Sequence, residues 1–556
     1  MKTFYLIKER SIKGLNPLIF ILIALFSGNV SSAQDQYTME WHKEEDTQLS
    51  NWTFSCVDPL FQECQKIRLD SEDNVIVAGT SLENGSYDFL LLKYSNTGEL
   101  LWKQLLDISN GSDDRITGIF IDNSDNIIIA GISETSQFLS KSIIIKLDET
   151  GNILWESNYS DQYSKSFPSK VIADSSGNVF IAGVIDNGGF FHQAFFVCKF
   201  DANGNFIWDS IYAPEESTAY RGITLKIIDN TIVSLGLVFK FFPLDRRIVL
   251  LKHTQEGNLL YSKETSFDGE RNNYSGSSHI DDAGNSYIGL FGNFKVIKYD
   301  PLGNEQWQFE VPTNLPDNVT ADEVHDIITD TNGNVYITGR HYGENYNDPT
   351  EYTNGDLQVN KISSEGNSIY SYRYNNTGAN TYDGGNKMFL GDNGYLAIGG
   401  SSGEIEGESR YLAIVLDESG EAFDIIREEA PGNDNEITSL VMDHDLNFYV
   451  TGIGSLKALT QKYLFTGTLG TGHFSENRSK IKVYPNPFSN QFQIETKGIS
   501  GMAEFILYNS NGSIVYRKSF ENIPELTIDA QSFSSGFYFY RLSHGEIVEY
   551  GKLVKK

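Results

Sequence analysis

The 556-residue chain is poor in cysteine, in positive charge and in long apolar runs, and each shortage closes off a class of protein. Three Cys cannot build a disulfide scaffold. Cys56 and Cys64, in "CVDPLFQEC", bracket a short loop and are expected to pair, whereas Cys198, in the apolar run "AFFVCKF", reads as a small buried side chain. Lys and Arg number 43 against 74 Asp and Glu, a formal net charge of −31. Nucleic acid is therefore not an expected partner, because binding its phosphates needs a basic footprint. The excess acid reads as a solvated surface. There is no His-Glu-x-x-His and no Walker loop.

The longest apolar run stands at the start, in "MKTFYLIKERSIKGLNPLIFILIALFSGNVSSAQ". Lys2, Lys8, Arg10 and Lys13 precede Leu18 to Phe26, and small residues follow at Ser31 and Ala33. This is the pattern of a secretory signal peptide, with cleavage expected between Ala33 and Gln34. The run falls short of the ~20 residues a membrane-spanning helix needs, and no transmembrane segment is expected in the mature chain.

What the sequence has in quantity is Gly (50), Tyr (30) and Phe (35), punctuated by Asn-Gly and Asp-Gly, a composition of strands and tight turns. It also repeats. "DTNGNVYITG" at Asp330 is echoed at Asp70, Asp122 and Asp174, and more weakly at Asp229, Asp281, Asp392 and Asp443. Aligned on the final residue of the motif, Gly79, Gly131, Gly183, Gly236, Leu290, Gly339, Gly399 and Gly452 are spaced by 52, 52, 53, 54, 49, 60 and 53 residues. Each unit carries four strand signals, as in "ITGIFID", "NIIIAGIS", "SIIIKLDE" and "ILWESNY". Four strands at this period predict an all-β propeller.

The repeated residues have mechanical readings. Asp-x-x-Gly-Asn offers a carboxylate to backbone amides further along the turn, then a residue suited to positive φ. An aromatic lies four residues after the Gly of the next turn in six units, at Trp102, Trp155, Trp208, Tyr261, Trp307 and Tyr370. Placed identically in each blade, it is expected to pack on the neighbouring blade rather than to stack a sugar. Lys recurs in the third strand, at Lys93, Lys146, Lys199, Lys252, Lys298, Lys361 and Lys462. One cation per blade makes a poor binding ladder, and pairing with local Asp or reaching to solvent is the expected role. The eighth unit lacks a fourth strand, and "QYTMEWHKE", with Trp41, has the look of it. Eight blades closed by that N-terminal strand are expected, with seven as the alternative.

The units resemble bacterial β-propeller repeats over about Gln34 to Gly470, a likeness that implies a fold and leaves function open. The expected organisation is a signal peptide at 1–33, a propeller at 34–470, a linker at 471–480 and a small Ig-like β-sandwich at 481–556. The last segment, "KIKVYPNPFSNQFQIE" onward, closely resembles the C-terminal sorting domains of the type IX secretion system. Tyr484, Pro485, Asn486 and Pro487 fill its opening motif, Gly536 and Tyr538 its late strand motif, and Lys552, Lys555 and Lys556 its basic end. The resemblance implies outer-membrane translocation by the type IX machinery and a secreted or surface-anchored product.

Loops that vary on a rigid ring are where binding is expected. Phe190, Phe191, Phe241, Phe242, Arg246, Tyr342, Tyr346 and Tyr352 are the aromatic and Arg candidates. Acidic residues just ahead of the innermost strands, Asp114, Asp322, Asp383 and Asp434 with Glu323 and Glu436, are placed to crown the channel mouth. Calcium is conceivable there, but the Asp turns lack the length and late carboxylate of a calcium loop, and no metal or other cofactor is expected. Two functions fit: a monomeric surface module binding extracellular glycan or protein, or a hydrolase of extracellular polysaccharide using paired carboxylates.

Overall fold

The computed structural model describes residues 36–49, 66–466 and 482–556, apart from short loop segments within these spans, the longest being 267–274, 313–321 and 343–354. The expected Ala33/Gln34 cleavage point and the Cys56–Cys64 pair lie outside the described residues. All the described regular elements are β-strands. The chain divides into two compact units, Met1–Gly467 and Thr468–Lys556.

The first unit is a succession of four-stranded antiparallel meanders. The opening one runs Lys66–Leu69, Val75–Glu83, Ser86–Tyr94 and Leu100–Leu106, each strand paired with the next. The same order recurs over 114–159, 165–212, 218–266, 275–310, 322–374 and 383–428. Asn435–Met442, Phe448–Gly454 and Leu456–Phe465 form a final meander whose fourth strand is the N-terminal Tyr37–Leu49, with Trp41 opposite Lys462. The first strands of successive meanders lie side by side, and that of the final one lies beside Lys66–Leu69. The sheets thus radiate from a common centre as the blades of a β-propeller.

Second and third strands are covered on both faces by adjoining blades, which is why they read as continuous apolar runs. Val75, Ile76, Val77 and Ala78 are all buried, as are Ile127 to Ala130. Fourth strands form the rim and alternate between exposed and half-buried side chains, as Leu100–Leu106 does. Cys198 is buried and free, packed with Ile181 and Phe196.

Each Asp turn consumes its own carboxylate. Asp174 Oδ1 accepts the backbone N–H groups of Ser176 and Asn178, both at 2.9 Å, and Oδ2 accepts the Asn178 side chain at 2.8 Å. Gly177 then takes a φ of +80°. The same bonds recur at Asp122, Asp330 and Asp443, so turn closure accounts for the motif's first half.

Blades are latched at the next turn. Trp102 Nε1 and Lys93 Nζ both donate to the carbonyl of Glu149 in the following blade, at 3.1 and 3.0 Å. Trp208 and Lys199 share Gln255 O, and Trp307 and Lys298 share Ser364 O. Trp41 and Lys462 share Asn96 O, at 3.1 and 2.8 Å, which carries the latch across the junction between the last blade and the first. The indole lies flat on the turn glycine: a Cβ on Gly98 would meet the Trp41 ring at 2.7 Å, and one on Gly204 the Trp155 ring at 2.6 Å. Lys93 also pairs with Asp70 of its own blade at 2.8 Å, and Lys146 with Asp122 at 2.8 Å. The repeated Lys therefore ties its own turn to its neighbour's.

The second unit has seven strands in two sheets, Lys482–Tyr484, Gln491–Glu495 and Glu525–Asp529 in one, and Met502–Asn509, Ile514–Glu521, Gly536–His544 and Ile547–Lys555 in the other. Both sheets feed one core, with Phe492, Ile494 and Ile528 against Phe505, Leu507 and Leu542. Gly536 opens its strand at a φ of +144°. Tyr538 is buried beside Phe533 and donates to Ser534 O at 2.7 Å. Lys555 Nζ donates to Ala530 O at 2.6 Å and to the carbonyl of Phe533, whereas Lys556 is exposed. Lys552 sits opposite Phe539 in the last strand pair. Tyr484 is exposed, and Pro485, Asn486 and Pro487 lie outside the described residues.

The latch makes a prediction that separates packing from backbone strain. Gly98 and Gly111 have φ of +83° and +97°, but only at Gly98 does an added Cβ meet a ring, while at Gly111 it meets nothing within 4 Å. Gly111→Ala should cost about 1 kcal/mol for the strained φ, and Gly98→Ala about 2 kcal/mol more. Equal melting temperatures for the two variants would show that the Trp41 contact contributes nothing to closure.

Candidate functional site

The motif's second half builds the centre of the ring. First strands carry a bulge, with register slips between Ile116 and Gly118, Pro168 and Lys170, Val324 and Asp326, Gly385 and Lys387, and Ile437 and Ser439. The bulge presses a first-strand carbonyl onto the second strand. A Cβ on Gly183 would lie 2.1 Å from Phe167 O, on Gly339 1.8 Å from Glu323 O, and on Gly452 2.0 Å from Glu436 O. At these three positions only Gly fits, so the final Gly accommodates the bulge there, whereas the fifth unit carries its bulge with Leu290 in that place; in each case the bulge re-aims the residues that follow.

Those residues line a central cavity of about 420 Å³ to which the first strand of every meander contributes. Its charged lining is Lys66, Arg68, Lys170, Lys387 and one carboxylate, Asp326. Lys387 Nζ lies 3.2 Å from Asp326 Oδ1, and Oδ2 accepts the Met388 N–H at 2.9 Å. Burial, followed by the charges of Arg68 and Lys387, pulls the Lys170 ammonium down to about 8 against the opposing pull of Asp326. Arg68 Nη1 donates to Ile67 O at 2.7 Å. His279, also in the lining, is pulled down to about 4 by burial and by Lys226, and its Nε2 lies 3.0 Å from Thr329 Oγ1.

A second group gathers where three of these first strands begin. His325 has Gly385 O 2.9 Å from Nδ1 and Glu323 Oε2 2.8 Å from Nε2. Arg340 Nη1 stands 3.8 Å from the same Glu323 oxygen. Its side chain passes over Gly355 and Gly384, where a Cβ would meet it at 2.4 and 3.3 Å. Asn386 donates to Glu436 Oε1 at 2.6 Å and to Ile437 O at 3.0 Å. Burial pushes the Glu436 carboxyl up despite Arg340, His325 and Asn386. Burial acts in the same sense on Glu323, but the His325 hydrogen bond, with the electrostatic pull of His325 and Arg340, outweighs it and holds Glu323 below the usual range. Two carboxyls are thereby driven in opposite directions.

Other expected site residues are placed differently. Asp114 and Asp322 are fully buried. Asp114 Oδ2 accepts the N–H groups of Ile108 and Ser109 at 2.6 and 2.9 Å, and Asp322 Oδ2 lies 3.1 Å from His341 Nδ1. Asp383 Oδ2 accepts the Asn376 N–H at 2.8 Å. Asp114 and Asp383 therefore clamp the chain arriving from the previous blade. Among the described residues one trio of carboxylates, Asp88, Asp107 and Asp114, brings oxygens within 4.8 Å of one another, and in it Asp114 already serves that clamp. Arg246 is buried inside Leu244–Thr254 rather than at a loop tip. Phe241 and Tyr342 end the strands Thr231–Phe241 and Val335–Tyr342. Phe190, Phe191, Phe242, Tyr346, Tyr352 and Asp434 lie outside the described residues.

The channel cations were not among the expected site residues, although the repeat contains their signal. Thirteen residues ahead of Gly79, Gly131, Gly183, Gly339, Gly400 and Gly452 stand Lys66, Gly118, Lys170, Asp326, Lys387 and Ser439, the column that follows the bulge. Variation at one column of an otherwise uniform repeat marks the residues freed from building the blade.

Residues 482–556 match the Secretion system C-terminal sorting domain family. A tail of this family marks the chain for export by the type IX machinery and for attachment at the outer cell surface. Among the described residues no helix is long and apolar enough to cross a membrane. No curated protein matches the chain. Similar solved structures include the polysaccharide lyase Uly1, at 11% identity over 79% of this chain and 98% of that one with a TM-score of 0.39. YCF48 from Cyanidioschyzon merolae matches at 11% identity over 62% and 94%, TM-score 0.37. A Bacteroides caccae protein of unknown function matches at 14% identity over 54% and 94%, TM-score 0.30.

Arg340 favours the charged form of both Glu323 and Glu436. Replacing it by Met should therefore raise the pH at which each carboxyl titrates, followed by carbon-13 NMR of labelled Glu. Unmoved titrations would show that Arg340 is electrostatically uncoupled from the pair.

Proposed function

We propose that this chain is a surface-displayed binding module, an eight-bladed propeller that takes an extracellular glycan at its channel and the surrounding loops. The observation that carries this reading is the central cavity, lined by polar and charged side chains from every first strand. Small-ligand sites are concave with a few convergent polar groups, and this one sits where the whole ring converges. The sorting tail supplies the location, since it folds around a core of its own. Ending the chain at Gly467 should leave a folded ring that still binds and remains in the periplasm. A glycan array with the exported chain and fractionation of the shortened one check the two halves. A truncated chain found on the cell surface, or an exported chain that binds no glycan, refutes the reading.

A second reading, hydrolysis of a polysaccharide, draws support from Glu323 and Glu436. Carboxyls whose surroundings push them apart suit the roles of base and acid, with Glu436 as the proton donor. Glu436→Gln should then abolish release of reducing ends from the bound glycan, with binding retained. Equal rates for the variant and the parent exclude Glu436 as the acid.

A further inference from the structure

The channel concentrates positive charge in a chain that is otherwise strongly acidic. Four of its five charged lining residues are cationic, against a formal net charge of −31 for the whole chain. Lys170, Arg68 and Lys387 come from three different blades and act on one another across the cavity. The carboxylate that faces them, Asp326, is engaged by Lys387 and by the Met388 N–H.

Folding does not account for this arrangement. Like charges facing one another in a poorly solvated space destabilise the fold that holds them, and the repeat tolerates uncharged residues at the same column, as Gly118 and Ser439 show. By contrast, the buried lysines that do serve the fold, Lys93 and Lys146, are each matched with a carboxylate at 2.8 Å. Residues retained at a cost to stability mark a site.

The rest of the lining narrows the ligand. Hydroxyls at Ser169, Ser277 and Ser439 are interleaved with the cations and offer donors to oxygen. Phe389 adds an apolar surface of the kind a sugar ring covers. At about 420 Å³ the cavity falls in the range of small-ligand pockets, roughly 300 to 1,000 Å³, and a lone inorganic anion would leave most of it empty.

We propose that the central channel is an oxyanion site that takes the carboxylate- or sulfate-bearing end of an acidic sugar, with Lys170 and Arg68 as the principal anion ligands. This rests on the binding reading above and gives it a ligand class. Lys387, already beside Asp326, completes the positive surround, with Lys66 in the same lining.

Calorimetric titration of the exported chain with D-glucuronate, sodium sulfate and D-glucose at constant ionic strength tests the assignment. Glucuronate should bind at least tenfold more tightly than sulfate, and glucose should give no heat. Lys170→Met and Arg68→Gln should each weaken glucuronate binding at least tenfold while leaving the melting temperature of the unliganded protein unchanged or higher. Binding should also fall as the pH is raised from 7 to 9, because Lys170 loses its proton near 8. Silence from both anions, or undiminished affinity in both variants, overturns the proposal. Sulfate binding as tightly as glucuronate overturns the sugar assignment in favour of a free oxyanion. An array glycan that is neutral and whose binding survives both variants overturns the anion site and leaves the binding reading standing.

Discussion

A turn carbonyl that accepts from both a Trp indole and a Lys ammonium of the blade before it is the contact on which the ring depends. Glu149 O, Gln255 O, Ser364 O and Asn96 O each hold such a pair. Two donors of one blade converging on one carbonyl of the next fix the spacing of the two sheets and set the indole against the turn. The glycine beneath the indole lets the ring approach, and the positive φ that turns the chain back is available to that same residue. One residue thus serves the hairpin and the interface together. At the last junction the donors come from opposite ends of the ring, Trp41 from the N-terminal strand and Lys462 from the final meander, so closure uses the contact already present elsewhere.

Because the rim and the blade faces carry the adhesion, the innermost column is free to vary. Its side chains follow a first-strand bulge, and they line the cavity where the first strands converge. Electrostatics then divides the molecule. Turn carboxylates are consumed at hydrogen-bond distance by their own amides, and burial of the latch lysines is offset by Asp70 and Asp122, whose carboxyls are held below the usual range by those bonds. Fold-building charges are matched locally, whereas among the described residues Lys170 and Arg68 in the channel form no ion pair with a carboxylate of their own blade. The contrast between matched and unmatched charge separates scaffold from site.

What could be read from the sequence follows from the range of the interactions. The Asp turns close within four residues, so their chemistry is written contiguously, and the strand periods between them are equally local. The Trp position was readable because it repeats, even though its partner lies 47 residues on in the case of Trp102 and Glu149. The Lys role was half legible. Pairing with Asp70 is local to the blade, but the bond to Glu149 O needs the neighbouring blade in place. The acidic residues Asp114 and Asp383 stand where sequence order puts them, at the head of first strands, yet their carboxylates turn back onto the incoming chain, a direction no spacing encodes. The channel group was hidden for a different reason, although a variable column of the repeat carries its signal. Its members are scattered over some three hundred residues and several blades, and become neighbours only because the ring brings the first strands together.

The same logic explains why export can be carried by a separate unit. Each blade face is already committed to a neighbouring blade, so an export signal woven into the blades would disturb the packing on both sides of it. The tail instead encloses Phe492, Phe505, Leu542 and Leu553 in its own core, and its late motif residues do structural work within it. Tyr538 holds the Ser534 carbonyl and Lys555 those of Ala530 and Phe533, which pins the chain on both sides of Gly536. Part of the sorting motif is thus a folding motif, and a substitution at Tyr538 or Lys555 acts first on the sandwich and only through it on recognition by the secretion machinery.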